Sequence, residues 1–151
     1  TEEEIRQISH NLIREVSGSH LNFAKLLKQL VADYQNLTSA KIEFSFDENI
    51  DGELIDENIQ INYYRILQEA LQNVVKHAEA TLVNIKITRE QDVLVMEIKD
   101  NGKGFDKRKK VKGIGLKNMR DRMEKIDGMF TFKTSAMGTD LLFRVKIYKN
   151  G

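Results

Sequence analysis

The apolar run Val93-Leu94-Val95-Met96-Glu97-Ile98 leads straight into Asp100-Asn101-Gly102-Lys103-Gly104-Phe105-Asp106. Side chains alternate across a strand, so residues 93–99 predict a strand with Leu94, Met96 and Ile98 directed inward. The same parity reaches Asp100. A carboxylate at the inward end of a strand is costly unless something pairs with it. The fold must therefore supply a polar partner there or admit a ligand that does, and an adenine N6 amino group is one candidate. Asp-Asn-Gly is also common turn chemistry, so a surface turn is the competing reading.

A second glycine pair follows in Gly113-Ile114-Gly115-Leu116, and Lys107, Arg108, Lys109, Lys110 and Lys112 lie between the two pairs. Gly102 and Gly104 let the backbone approach a flat ring or take positive φ. Gly113 and Gly115 lead into a helix start, where free N–H groups and the helix dipole favour phosphate. The spacing matches neither a P-loop nor a Rossmann fingerprint. The basic stretch reads as a solvated loop, and equally as a lid whose cations can meet a triphosphate.

Helical and strand periods segregate along the chain. Residues 2–16 predict a helix with Ile5, Ile8, Leu12 and Val16 on one stripe. Residues 20–35 predict another, with Phe23, Leu26, Leu27, Leu30, Val31 and Tyr34. Residues 41–46 alternate as a strand, and 47–56 read as a turn or irregular loop. The longest helix is expected over 58–78, with Leu67, Ala70, Leu71, Val74, Val75 and Ala78 buried. Arg65, Glu69, Gln72, Asn73 and Lys76 form its polar face. Strands over 82–88 and 93–99 turn at Gln91-Asp92. A helix over 115–126 ends at Asp127-Gly128, and 129–134 with 139–148 form a closing hairpin around Ala136-Met137-Gly138. This order predicts an α+β fold: a two-layer α/β sandwich whose mixed, mostly antiparallel sheet is covered on one face by helices.

The totals set bounds. The 151 residues suit one domain, or one domain with a short appendage. A net charge of +1 gives no field that argues for nucleic acid or an anionic membrane. With no cysteine, disulfides, thiolate ligands and cysteine nucleophiles are excluded. No apolar run approaches the roughly 20 residues that span a bilayer. The chain starts at Thr1 without a signal peptide and reads as a fragment of something longer, so any membrane connection is expected only through missing upstream segments.

Glu69 and Asn73 stand at i and i+4 on one helix face. A neutral amide oxygen beside a carboxylate suits Mg²⁺, a hard ion that keeps several waters. Lys76 and His77 come one turn later. On this helix alone, an ordinary exposed polar face explains the pattern as well. On the last strand, Thr139 shares the parity of Leu141, Phe143, Val145 and Ile147, where its hydroxyl can back up Asp100.

Four stretches together are more specific than any one. Glu69-Ala70-Leu71-Gln72-Asn73-Val74-Val75-Lys76-His77-Ala78 resembles the N box of sensor histidine kinases, and Asp100-Asn101-Gly102-Lys103-Gly104-Phe105 resembles their first glycine box. Gly113 to Arg122 resembles the second, and Gly138-Thr139 the final glycine-threonine motif. Tyr64-Arg65-Ile66-Leu67-Gln68 narrows the likeness to kinases similar to nitrate sensors and the lipid-desaturase thermosensor. The resemblance implies the Bergerat ATP-binding fold, with ATP and Mg²⁺. By that resemblance Asn73 would coordinate Mg²⁺ and Glu69 would polarise the attacking group or a water. Asp100 would accept from adenine N6, supported by Thr139, with Gly102, Gly104 and Phe105 shaping the pocket. Lys76, His77, Gly113, Gly115 and Leu116 would lie at the phosphates.

The implied domains are residues 1–17, the C-terminal end of a dimerisation and phosphoacceptor hairpin, and residues 18–151, the ATP-binding catalytic domain. Such a domain would transfer the γ-phosphoryl group to a histidine on its own dimerisation domain, outside this chain, for relay to a response regulator receiver domain. It would work in the cytoplasm as part of a homodimeric sensor, without nucleic acid. His10 is followed by Asn11 where acceptor motifs carry an acidic residue, so it is not read as the acceptor. His20 reads as a surface residue. The alternatives are a non-catalytic nucleotide-sensing module and an anti-sigma-type protein serine kinase of the same fold.

Overall fold

The structure is a computed structural model that describes residues 23–104 and 114–147. Helix α1 spans Phe23–Gln35, strand β1 Lys41–Phe46 and a short 3₁₀ turn Gly52–Leu54. Helix α2 spans Glu57–Asn73 and continues as a π-helical turn, Val74–Ala78. Strands β2 (Leu82–Glu90) and β3 (Val93–Asp100) follow, then α3 (Ile114–Lys125), β4 (Met129–Ser135) and β5 (Gly138–Lys146). The expected helix over 2–16, the segment 1–17 with His10, and His20 lie outside the described residues.

The five strands form one sheet in the order β1-β2-β3-β5-β4. β1 runs parallel to β2, and every other pair is antiparallel. Helix α2 makes the crossover that parallel pairing needs. The expected α+β sandwich with a mixed, mostly antiparallel sheet is therefore the observed fold.

The inward parities form the core. Val83, Ile85 and Ile87 of β2, Leu94, Met96 and Ile98 of β3, and Leu141, Phe143 and Val145 of β5 are all buried. They meet Phe23, Leu26, Leu27 and Leu30 of α1, Ile66, Leu67, Ala70 and Leu71 of α2, and Met119 and Met123 of α3. The edges are tied on by specific contacts. The Gln35 side chain donates to Ala40 O and accepts from Ile42 N, which holds β1 to the end of α1. Phe130 stacks on Phe143 at 4.7 Å, which holds β4.

Helix α2 is more deeply buried than its stripe predicts. Asp56 caps it by accepting from Asn58 N at 2.8 Å, and Glu57 complements the positive helix end. Ile59, Ile61, Tyr63 and Tyr64 of its first half are buried too. Two buried amides are satisfied locally: Gln60 donates to the carbonyls of Gly52 and Ile55, and Asn62 to that of Asn58.

Two expectations are corrected. The helix over 58–78 does not stay α-helical. After Asn73 the bonding widens to i→i+5, and Glu79 closes the turn in the left-handed region at φ 51°. Such a turn rotates the following residues off the 3.6-residue stripe. Val75 is accordingly 38% exposed instead of buried. The closing turn is Ala136-Met137 alone, because Gly138 already pairs with Ser135 as the first residue of β5.

Candidate functional site

The motif residues gather where α2 ends, β3 ends and α3 begins. Asp100 closes β3, with Val83 on one side and Thr139 on the other in register. Its carboxylate is half-buried and accepts from the Gly102 amide at 2.8 Å. Burial raises its pKa above the ordinary carboxylate value, while hydrogen bonds from the Gly102 and Thr139 amides pull it partly back. An ionised carboxylate has about four acceptor positions. Two backbone donors leave capacity for a donor from a ligand. The inward parity read from the sequence is thus observed, and the turn reading holds as well: the Asp100-to-Gly102 bond is an Asx turn.

The glycine-threonine motif meets Asp100 directly. Gly138 sits at φ 141°, and a side-chain carbon there would run into the Asp100 carbonyl and reach within 3.1 Å of Asn101 Cα. Only glycine lets β5 begin this close to the end of β3. Gly102 is buried, and Gly104 packs against the β4–β5 turn, beside Thr134 Oγ1 and the Ser135 carbonyl. Thr139 is half-buried, with its hydroxyl 3.2 Å from that of Thr134.

The second cluster joins the remaining two motifs. Asn73, the last α-helical residue of α2, lies against Gly115 in the first turn of α3. A side-chain carbon at Gly115 would sit 2.6 Å from Asn73 Nδ2. Glu69 lies one turn earlier on α2 and is half-buried, Lys76 on the π turn is exposed, and Leu116 is half-buried against the core. The His77 side chain, Phe105, Gly113 and the basic stretch Lys107–Lys112 lie outside the described residues.

Asn101 connects the clusters, and sequence reasoning missed it. Its Oδ1 accepts from the amides of Thr81 and Leu82, both at 2.9 Å, and its Nδ2 donates to Thr81 Oγ1 at 2.8 Å. This clamps the end of β3 to the chain that leaves the π turn. An exposed Lys103–Glu79 pair at 3.5 Å spans the same gap, though such pairs contribute little. Asparagine is so common in turns that its residue type alone carries no such signal.

The donor set suits the groups expected from the sequence. Asp100 with Thr139 offers an acceptor beside a hydroxyl, matched to an amino-bearing base edge. The start of α3 offers amide N–H groups and the positive dipole end. Asn73 and Glu69, one turn apart on α2, supply an amide oxygen and a carboxylate of the kind a hydrated Mg²⁺ takes. A separate cleft of about 580 Å³, bordered by Leu54, Asp56, Ile126 and Ile147, lies at the other ends of α2 and α3 and holds none of these residues.

Known proteins match this chain in both sequence and fold. Residues 58–149 match the family described as "Histidine kinase-, DNA gyrase B-, and HSP90-like ATPase". The signal transduction histidine-protein kinase/phosphatase DegS of Brevibacillus brevis is 34% identical over 146 residues, which covers 95% of this chain and 37% of that protein. The histidine kinase domain of the Erythrobacter litoralis blue-light activated histidine kinase EL346 superposes with a TM-score of 0.72 at 13% identity, covering 83% of this chain and 61% of that one. Full-length ShkA, solved in complex with AMPPNP, gives a TM-score of 0.67 at 16% identity, covering 85% of this chain and 30% of that one. The chain spans about a third of the length of the DegS proteins it matches.

Proposed function

This chain belongs to the histidine kinase-, DNA gyrase B- and HSP90-like ATPase family, and we propose that it is the ATP-binding catalytic domain of a two-component sensor histidine kinase. In that role it transfers the γ-phosphoryl group of ATP to a histidine on a dimerisation domain, for relay to a response regulator. Residues 1–17 are then the end of the dimerisation hairpin and 18–151 the catalytic domain. The narrower likeness to nitrate sensors and the desaturase thermosensor belongs to the same reading.

The observation that carries it is Asp100, held half-buried at the inward end of β3 beside Thr139, with acceptor capacity left over. In this reading Asp100 accepts from the adenine amino group, Thr139 supports it, and Gly102, Gly104 and Phe105 shape the base pocket. Gly113, Gly115, Leu116, Lys76 and His77 serve the phosphates. Asn73 holds Mg²⁺, which neutralises phosphate charge when bound, and Glu69 orients the attacking group. Phosphoryl transfer needs mainly positioning and charge neutralisation, so these groups suffice around a nucleophile that the dimerisation domain supplies. The γ-phosphorus gains a bond to the imidazole nitrogen and loses its bond to the bridging oxygen, with ADP leaving.

Calorimetry with Mg-ATP tests the site, comparing the chain with Asp100→Asn. Loss of a hydrogen bond to a charged group predicts a drop of about 10- to 100-fold or more in affinity, with the fold intact by circular dichroism. Unchanged affinity would sink the assignment. Adding the dimerisation domain of the full-length protein and γ-labelled ATP tests the activity. Label on its histidine supports a kinase, and ATP binding without label points to a nucleotide-sensing module.

A further inference from the structure

Beyond the residues marked by the family motifs, one hydroxyl stands at the base end of the site. Thr134 lies on the inward parity of β4, after Phe130 and Phe132, and is half-buried. It pairs in register with Thr139, and the two hydroxyl oxygens are 3.2 Å apart. Thr139 pairs in turn with Asp100, whose carboxylate its amide helps to hold. Gly104 closes on the other side, where a side-chain carbon would lie 2.8 Å from Thr134 Oγ1. The three polar side chains thus form a row across three neighbouring strands: Asp100, Thr139, Thr134.

Hydrogen-bond inventory gives the row a meaning. A threonine hydroxyl has one proton and two lone pairs, and an ionised carboxylate only accepts. If Thr139 gives its proton to Thr134, the pair facing a ligand is acceptor beside acceptor. If Thr134 gives its proton to Thr139, the proton of Thr139 is left for the ligand, and the pair is acceptor beside donor. Adenine presents an N6 donor next to the N1 acceptor, which fits the second arrangement. Guanine presents the O6 acceptor next to an N1–H donor, which opposes it.

We propose that Thr134 is a positioning residue for purine selection: by donating to Thr139 it commits the Thr139 proton to the base, directly or through a water. The inference rests on the nucleotide reading above. It concerns discrimination more than total affinity, because Thr134 acts on the base through Thr139.

The test is calorimetry of the 151-residue chain with Mg-ATP and Mg-GTP, alongside Thr134→Val and Thr134→Ser, with thermal melts to monitor folding. Valine keeps the shape and removes the hydroxyl. The expected result is a loss of about 3- to 10-fold in ATP affinity, the scale of one net hydrogen bond. GTP affinity holds or rises, so the ratio narrows, and serine restores it. If T134V lowers both affinities equally, or T134S behaves as T134V does, Thr134 is only packing and the inference is overturned. Should T134V not fold, Thr134→Ala gives the same comparison without added bulk. ATP binding that Asp100→Asn removes, with a ratio indifferent to Thr134, overturns this inference alone. No ATP binding by the unaltered chain overturns the nucleotide reading and this inference together.

Discussion

Gly115, in the first turn of α3, lies directly against the side chain of Asn73, so closely that a methyl group at 115 would lie 2.6 Å from Asn73 Nδ2. Each residue sits in a motif of its own, one on the central helix and one after the basic stretch. The contact turns two separate motifs into one wall of a site. It also means that the orientation of the Asn73 amide depends on the absence of a side chain at position 115.

Gly115→Ala therefore separates function from stability. Alanine is favoured over glycine in a helix by up to about 1 kcal/mol, and the group it strikes is the end of a side chain that can rotate away. The melting temperature should hold or rise. Affinity for Mg-ATP should fall about tenfold or more, because Asn73 is turned from its present orientation. Calorimetry paired with thermal melts checks both, and full affinity in a stable Gly115→Ala chain would count against a shared role for the two residues.

Asp100 should trade stability for binding in a pH-dependent way. Burial puts its folded-state pKa above the unfolded value, so ionisation at this position works against the fold. That cost is fully present above the folded pKa and disappears as pH falls below the unfolded one. Asp100→Asn should raise the melting temperature of the nucleotide-free chain at pH 7, with the gain shrinking toward acid pH. ATP affinity of the unaltered chain should run the opposite way and fall as pH drops through the folded pKa, since a carboxylate is needed to accept. Melts and titrations across pH 4–8 test this, and a lower melting temperature for Asp100→Asn at pH 7 would contradict it.

Tyr63 offers a perturbation of the scaffold alone. Its hydroxyl is buried and donates to the Leu94 carbonyl at 2.9 Å, with the Phe143 carbonyl at 3.2 Å. Desolvation pushes its pKa far above the ordinary phenol value, so it stays neutral wherever the fold persists. Tyr63→Phe should cost about 1–2 kcal/mol by urea denaturation, the penalty for leaving buried carbonyls short of a donor. Leu94 lies near the start of β3 and Asp100 at its end, so nucleotide affinity should not change.

Much of the fold was legible because periodicity reports burial. The alternation in 82–88 and 93–99 gave strands whose inward residues are the core, that in 41–46 gave an edge strand packed against it, and the 3.6-residue stripes gave the helices that cover them. Asp100 was legible for the same reason, as a charge on the inward parity. The π turn was not, since Val74-Val75 fits an α-helical stripe equally well and only the i→i+5 bonding exposes Val75. Tyr63 read as one more residue of a helix, because periodicity does not say which strand carbonyls lie above it.

The order of motifs along the chain determined the family, the sheet's composition and the identity of the polar residues at Asp100, Asn73 and Thr139. Tertiary structure alone decided their company. Insertion of β5 between β3 and β4 set Thr139 beside Asp100 and Thr134 beside Thr139, and the docking of α3 on α2 set Gly115 against Asn73. The physical reason is that side-chain pattern records how each segment faces the core, while the pairing of segments distant in sequence is chosen by the packing of the whole.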